Sequence, residues 1–163
     1  MNNSYIFKSP IGLLKIEEED SKIIGVSLQQ KEMDFVQSQK FIQHSDLLYE
    51  AYRQLDEYFS EKRKKFQLPI SGKGTIFQQA VWKALQNIPY GETRSYEDIA
   101  IAVKNPKAAR AIGQANNRNP ILIIVPCHRV IHKNGDITGF GCGTKIKKYL
   151  LDLEKRNKKA IAQ

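Results

Sequence analysis

Pro126-Cys127-His128-Arg129-Val130 sets a thiol, an imidazole and a guanidinium on consecutive residues, directly after the apolar run 121–125. A thiolate is a soft, strong nucleophile, and neighbouring positive potential favours it over the thiol. Five apolar residues closed by a proline predict a buried strand with Cys127 at its mouth. A plainer reading packs Cys127 as a small hydrophobe. Another counts Cys127, His128, His132 and Cys142 as zinc ligands, at a spacing that resembles no common zinc pattern. Glu154 falls at the edge of the apolar face predicted for the last helix, with Lys147 nearby. A carboxylate placed there can point inward at a partner or stay solvated.

The elements around these residues are mainly helical. Thr75 is placed to cap a helix through Phe77, Val81, Trp82 and Leu85, stopped at Pro89-Tyr90-Gly91. Ser95 with Asp98 resembles a capping box opening a helix over 96–103. Asn105 reads as the N-cap of the next helix, Pro106 as its first residue and 107–116 as its body. Two short helices across a tight turn form a helix-turn-helix candidate. Ala108, Ala109, Ala111, Gly113 and Ala115 make the second helix small-sided. That suits either entry into a narrow minor groove or close packing on a neighbouring helix. Gly135, Gly139, Gly141 and Gly143 mark a turning loop, and a last helix from about Thr144 is expected to bury Ile146, Tyr149, Leu150 and Leu153.

The first half predicts a small α/β unit. Strand candidates are 5–7, 13–16 and 23–28, the first two joined at Ser9-Pro10-Ile11-Gly12. Asp46 is read as the cap of a helix with Leu48, Ala51, Tyr52, Leu55, Tyr58 and Phe59 at helical spacing, and 66–70 as strand-like. The basic run 62–65 reads as a solvated face. Ser71-Gly72-Lys73-Gly74 is the natural boundary, giving domains 1–73 and 74–163.

Charge divides the same way. Residues 1–73 carry eleven Lys/Arg and eleven Asp/Glu; residues 74–163 carry fifteen against six, which is the whole net +9. That excess, on the half that holds Cys127, points to a polyanionic partner, most simply nucleic acid. Two cysteines are no disulfide framework, no run of about 20 apolar residues occurs, and the first residues do not read as a secretory signal, so a cytoplasmic protein is expected.

Taken together, the motifs resemble the O6-alkylguanine-DNA alkyltransferases (methylated-DNA–protein-cysteine methyltransferases). The resemblance rests on Pro126-Cys127-His128-Arg129-Val130 with Gly74-Thr-Ile-Phe-Gln78, Val81-Trp82, Ile88-Pro-Tyr-Gly91, Ser95-Tyr96, Asn105-Pro-Lys-Ala-Ala-Arg110-Ala-Ile-Gly113 and Asn119-Pro120, in that family's order and spacing. It covers roughly residues 74–155. It implies an α/β RNase H-like N-terminal domain and a mainly α C-terminal domain with a winged-helix-like helix-turn-helix. It implies Cys127 as alkyl acceptor, His128 as its base through a water, Glu154 orienting the imidazole, and Asn119 holding the turn. Tyr96 would bond the flipped guanine, Lys147 assist proton delivery and Arg110 fill the vacated stack. Asn105, Arg118 and Lys133 are expected beside them as DNA contacts. The partner implied is double-stranded DNA carrying O6-alkylguanine, bound from the minor groove by a monomer that in a prokaryote is nucleoid-associated; O4-methylthymine stays open. No cofactor or metal is expected, since no cysteine precedes position 127 to hold the zinc some relatives carry. The chain departs from the family at Phe140-Gly141-Cys142-Gly143, where a tyrosine followed by glycines is common; this puts the tolerated adduct size in question. Relatives that only sense damage replace the acceptor cysteine, which is present here. A sequence-reading helix-turn-helix regulator is the other alternative, poorly served by small side chains and one arginine.

Overall fold

The structure is a computed structural model describing residues 2–29 and 45–161. It divides into two compact units, 1–73 and 74–163.

In the first unit β1 (Asn2–Ser9), β2 (Gly12–Glu19) and β3 (Lys22–Gln29) form an antiparallel meander, Tyr5 opposite Ile16 and Ile16 opposite Val26. Leu14 and Ile16 are buried on the face that α1 (Asp46–Phe59) covers with Leu48, Ala51, Leu55 and Tyr58. The cap of α1 is Ser45, whose hydroxyl accepts from the Leu48 N–H, and not Asp46, which is the first helical residue. The segment 66–70 is not a strand; it pairs only as a single bridge, Ile23 to Ile70. Pro69 has no N–H to extend a ladder, and the buried Gln54 amide instead holds both backbone groups of Gln67.

The second unit carries the chemistry. α2 (Ile76–Gln86) and α3 (Tyr96–Ala102) open on complete capping boxes, Thr75/Gln78 and Ser95/Asp98. α4 (Ala109–Asn117) follows α3 across a tight turn, and the Trp82 indole N–H donates to the Ala115 carbonyl at 2.9 Å, tying α2 to α4. β4 (Arg94–Ser95) pairs in parallel with β5 (Val130–Ile131), and α5 (Thr144–Ile161) closes the unit. Val81, Leu85, Ile99, Ile112, Val130, Leu150 and Leu153 form its core. Among the described residues no helix is long and apolar enough to cross a membrane.

Three sequence expectations are corrected here. Asn105 does not cap α4. Its N–H reaches back to the Ala100 carbonyl while Lys104, at φ +62°, donates to Ile101, which together end α3 in a Schellman motif. The Asn105 carbonyl then accepts from Ala108 across a turn with Pro106 in second place, so α4 starts at Ala109, three residues later than expected. On α5, Tyr149 is 37% exposed, and the buried face instead includes Lys147, Glu154 and Asn157 beside Leu150 and Leu153. Nor is 121–125 a strand. Ile124 N–H bonds Leu122 at 2.7 Å around Ile123 at φ +71°, a left-handed conformation costly for a β-branched residue. Strain of this kind persists only where surrounding packing imposes it, and Ile121 and Ile123 are both buried.

Candidate active site

Cys127 opens a single turn of 3-10 helix, Cys127–Arg129, and is not at the end of a strand. Pro126 (φ −82°, ψ 66°) forms an inverse γ-turn that closes with the Cys127 N–H on the Val125 carbonyl at 2.8 Å. Two asparagines brace this chain reversal. Asn119 donates to the Val125 carbonyl at 2.7 Å, accepts the Ile121 N–H at 3.0 Å, and offers a hydrogen bond to the Cys127 thiol. Asn116, buried in α4, donates to the Cys127 carbonyl at 3.2 Å.

Behind the thiol sits a buried ion network. Glu154 is 1% exposed, not at a solvated edge. It receives His128 Nε2 at 2.5 Å, Arg129 Nε at 2.8 Å and Nη2 at 3.2 Å, and the Gly91 N–H at 3.1 Å. Burial by itself raises a carboxyl's pKa, but the charges and hydrogen bonds of His128 and Arg129 outweigh it and hold Glu154 well below the usual range. An ionised carboxylate only accepts, so His128 Nε2 carries the proton. Burial lowers the His128 pKa against the pull of Glu154, leaving a neutral ring whose Nδ1 is an acceptor with no hydrogen-bond partner among the described residues. Gly91 sits at φ +77° and a Cβ there would press on Lys158, so the N–H that steadies Glu154 requires a residue without a side chain.

Arg129 was expected only as positive potential beside the thiol. Its charge is instead spent on Glu154, on the Ile88 carbonyl at 2.7 Å and over the Tyr90 ring. The expected thiolate is corrected with it: Cys127 is 2% exposed and burial pushes its thiol up to about 12, against the opposing hydrogen bond from Asn119. The resting group is a thiol. From an ordinary value of 9.0, the thiolate fraction at pH 8 falls about 10³-fold, partly offset by greater intrinsic nucleophilicity. Cys127 in the free protein should therefore react with iodoacetamide about 30-fold more slowly than an unhindered cysteine, with a rate still rising above pH 9. Peptide mapping against time measures this; rapid labelling at pH 7 would contradict it.

Lys147, fully buried, donates to the Val130 carbonyl and lies 5.1 Å from the Phe140 ring and 5.9 Å from the Tyr96 ring. Burial lowers its pKa to about 8. Tyr96, the first residue of α3, has its hydroxyl pKa raised by burial and then by the nearby Cys127 charge. Its ring packs 5.0 Å from His132 at the edge of a cavity of about 320 Å³, also lined by Arg110, Gly113, Asn117 and Gly139. Cys127, His128, Asn119, Glu154 and Lys147 are thus all buried, with Tyr96 and Arg110 at the cavity. Asn105, Arg118 and Lys133 are exposed and do not line it. Asn105 is in the inter-helix turn and Arg118 is the C-cap of α4, eight residues (about 12 Å of helix) from Arg110. Asn116, Asn117 and Gly91 escaped sequence reading as site residues. Polar residues alternating with alanines on α4 were the available signal, without the partner each side chain meets. Among the described residues no three His, Cys, Asp or Glu side chains gather as a metal site.

Comparison with known proteins adds the following. The family model for the 6-O-methylguanine DNA methyltransferase DNA-binding domain matches residues 76–156, and that for its ribonuclease-like domain matches residues 3–71. The constitutive methylated-DNA–protein-cysteine methyltransferase of Bacillus subtilis is 50% identical over 95% of this chain and 96% of its own length. The Methanosarcina acetivorans methylated-DNA–protein-cysteine methyltransferase is 49% identical over 91% of this chain and 96% of its own. Among solved structures, the O6-methylguanine methyltransferase of Mycobacterium tuberculosis superposes with a TM-score of 0.83 at 42% identity, covering 96% of this chain and 94% of that one. The OGT of the same organism in complex with DNA gives 0.83 at 40% identity, covering 95% and 94%.

Proposed function

This chain belongs to the 6-O-methylguanine DNA methyltransferase family, whose DNA-repair alkyl transfer it performs, and we propose that its own Cys127 is the acceptor. The observation that carries the assignment is the orphaned Nδ1 of His128. A buried imidazole has its other nitrogen locked on an ionised carboxylate, on the residue next to a buried thiol. Buried polar atoms without partners are rare in folded proteins and concentrate where chemistry happens.

An alkyl carbon on guanine O6 is saturated, so it leaves only by direct displacement. The thiol proton passes to His128 Nδ1 (directly or through a water), the S–C bond forms as the C–O6 bond breaks, and the electron pair stays with the purine. The Tyr96 hydroxyl gives that purine the proton it needs to leave as neutral guanine. Glu154 is the positioning residue that keeps His128 in the accepting tautomer, and Arg129 keeps Glu154 ionised. Lys147 lowers the cost of charge at Cys127 and can restore a proton near its own pKa of about 8. The product is a thioether, with no carbonyl for water to attack. Each molecule therefore acts once.

Inside a duplex the alkyl group is out of reach, and extruding the base costs a few kcal/mol. Arg110 is exposed on α4 beside Ala111 and Gln114, with Gly113 behind it against the Tyr96 ring. A helix this small-sided suits the minor groove, and the guanidinium replaces the lost stacking. We read the O6-alkylated base as entering the cavity between Tyr96 and Gly139, on a monomer acting in the cytoplasm. Asn105, Arg118 and Lys133 serve as phosphate contacts outside the pocket.

Mixing the protein with an O6-methylguanine duplex in known ratio and mapping the modified peptide by mass tests the assignment. One methyl per molecule on Cys127 is expected. More than one equivalent, or a methyl elsewhere, overturns it. In the same assay Arg110→Ala should lose about 10- to 100-fold in duplex transfer, the value of a few kcal/mol of extrusion energy. Transfer from the free modified base should stay within a few-fold; equal losses on both would remove Arg110 from base extrusion.

A further inference from the structure

One side chain clamps the first half of the glycine loop 139–143, whose second half is closed by the Gly143 N–H on the Phe140 carbonyl at 3.0 Å. Asn117, the last residue of α4, donates from Nδ2 to the Gly139 carbonyl at 2.9 Å and accepts at Oδ1 the Gly141 N–H at 3.1 Å. The loop presses close at this point, for a Cβ built on Gly141 would sit 3.3 Å from the Asn117 carbonyl. Gly139 and Gly143, at φ +88° and +97°, have nothing within 4 Å of where a Cβ would stand. Side-chain packing at these two glycines therefore adds nothing to what holds the loop. The loop carries Phe140, which is buried with its ring against the Lys147 ammonium, and the half-buried Cys142. Asn117 and Gly139 both line the cavity that holds Tyr96 and Arg110. The preceding residue, Asn116, holds the Cys127 carbonyl, so two consecutive side chains join acceptor turn and loop to one helix end.

We propose that Asn117 is a latch that positions the glycine loop as a wall of the base pocket and so restricts the size of the O6 substituent the protein accepts. The inference rests on the assignment of Cys127 as acceptor. A wall pinned by two further hydrogen bonds yields little to a bulky group; without them the stretch 139–141 is held only through Phe140 and the Gly143 bond, and gives way more readily. A methyl group needs no such movement. Asn117 touches no reacting atom, and its effect falls on discrimination between substrates.

The test compares wild type, Asn117→Ala and Asn117→Asp on two duplexes of one sequence, carrying O6-methylguanine or O6-benzylguanine. The benzyl-to-methyl ratio of transfer rate constants cancels any change in DNA affinity, because the duplex is common to both. Asn117→Ala loses both bonds; Asn117→Asp keeps the acceptor for Gly141 and loses the donor to Gly139. We expect the ratio to rise at least about threefold in Asn117→Ala and by less in Asn117→Asp, within the range that pocket contacts to small apolar groups deliver. A rise below about threefold in Asn117→Ala, or a fall, overturns the latch. Should Asn117→Ala not fold, any rise in Asn117→Asp supports the latch and an unchanged or lower ratio rejects it. Peptide mapping of the wild type keeps the two readings apart, since alkyl groups found away from Cys127 refute the acceptor assignment whatever the ratio.

Discussion

Cys127→Ala is expected to abolish alkyl transfer, by at least about 10⁴-fold and to the background of uncatalysed chemistry, as removal of a nucleophile does elsewhere. Binding to a lesion-bearing duplex should survive within a few-fold, because the exposed Arg110 and the basic excess of residues 74–163 are untouched. The fold should survive as well. Cys127 is held through its backbone, by Asn116 on its carbonyl and by Val125 on its N–H, and alanine keeps both bonds. One buried sulfur is lost, a cost of about 1 kcal/mol. Gel shift and a radiolabelled transfer assay on the same preparation measure the two properties separately. Cys142 is the rival acceptor within electrostatic reach. Transfer that persists in Cys127→Ala and maps to Cys142 would end the mechanism given above.

Glu154→Gln is expected to have the next largest effect, on stability and transfer together. It removes the counter-charge of Arg129, which is 7% exposed, and places an amide where four donors converge. Breaking a buried pair in this way typically costs about 3–5 kcal/mol. For a protein of this size that is a drop of roughly 10 °C or more in melting temperature. Loss of the oriented imidazole removes a further factor of about 10²–10⁴ from the transfer rate of what remains folded. Replacing both partners, Glu154→Met with Arg129→Met, should recover part of the stability and none of the transfer, since apolar residues can substitute for a buried pair but cannot set a tautomer. Equal recovery of both would make the network structural only.

The pH dependence of stability follows from the same groups. His128 has a folded pKa below its ordinary 6.5, so below that value the unfolded chain takes up the proton first and stability falls. Glu154 is held below its ordinary 4.5, so its contribution is complete above 4.5 and is lost as the pH drops further. Unfolding in denaturant between pH 7 and 3 should show both limbs in the wild type, and Glu154→Gln should lack the lower one.

Local signals carried much of this molecule. The Thr75 cap and the Ser95/Asp98 capping box depend on residues close in the chain and were legible without a fold, whereas the Gln78 half of the Thr75 box went unread. The three strands of the first unit were legible as short candidates with the turn at Ser9–Gly12, though each runs to eight residues. The confinement of net charge to residues 74–163 and the motif around Cys127 pointed to nucleic acid and to the acceptor. Misreadings arose where backbone hydrogen bonds, not side-chain type, set the course of the chain. Asn105 looks like a cap and instead ends the preceding helix, because the Ala100 carbonyl needed its N–H. The run 121–125 looks like a strand and is turned by a left-handed Ile123.

What the amino-acid order determined by itself was the set of candidate groups: a thiol beside an imidazole, a carboxylate 27 residues on, an arginine on a small-sided helix. What the tertiary structure decided was their state. Only folding brings Glu154 to His128 and Arg129 from 26 and 25 residues away, buries all three, and so determines which nitrogen keeps its proton. Burial likewise turned an expected thiolate into a protonated thiol. The physical reason is that residue type sets what a group can do, whereas desolvation and the charges packed around it set its protonation, and those neighbours come from parts of the chain that local pattern does not connect.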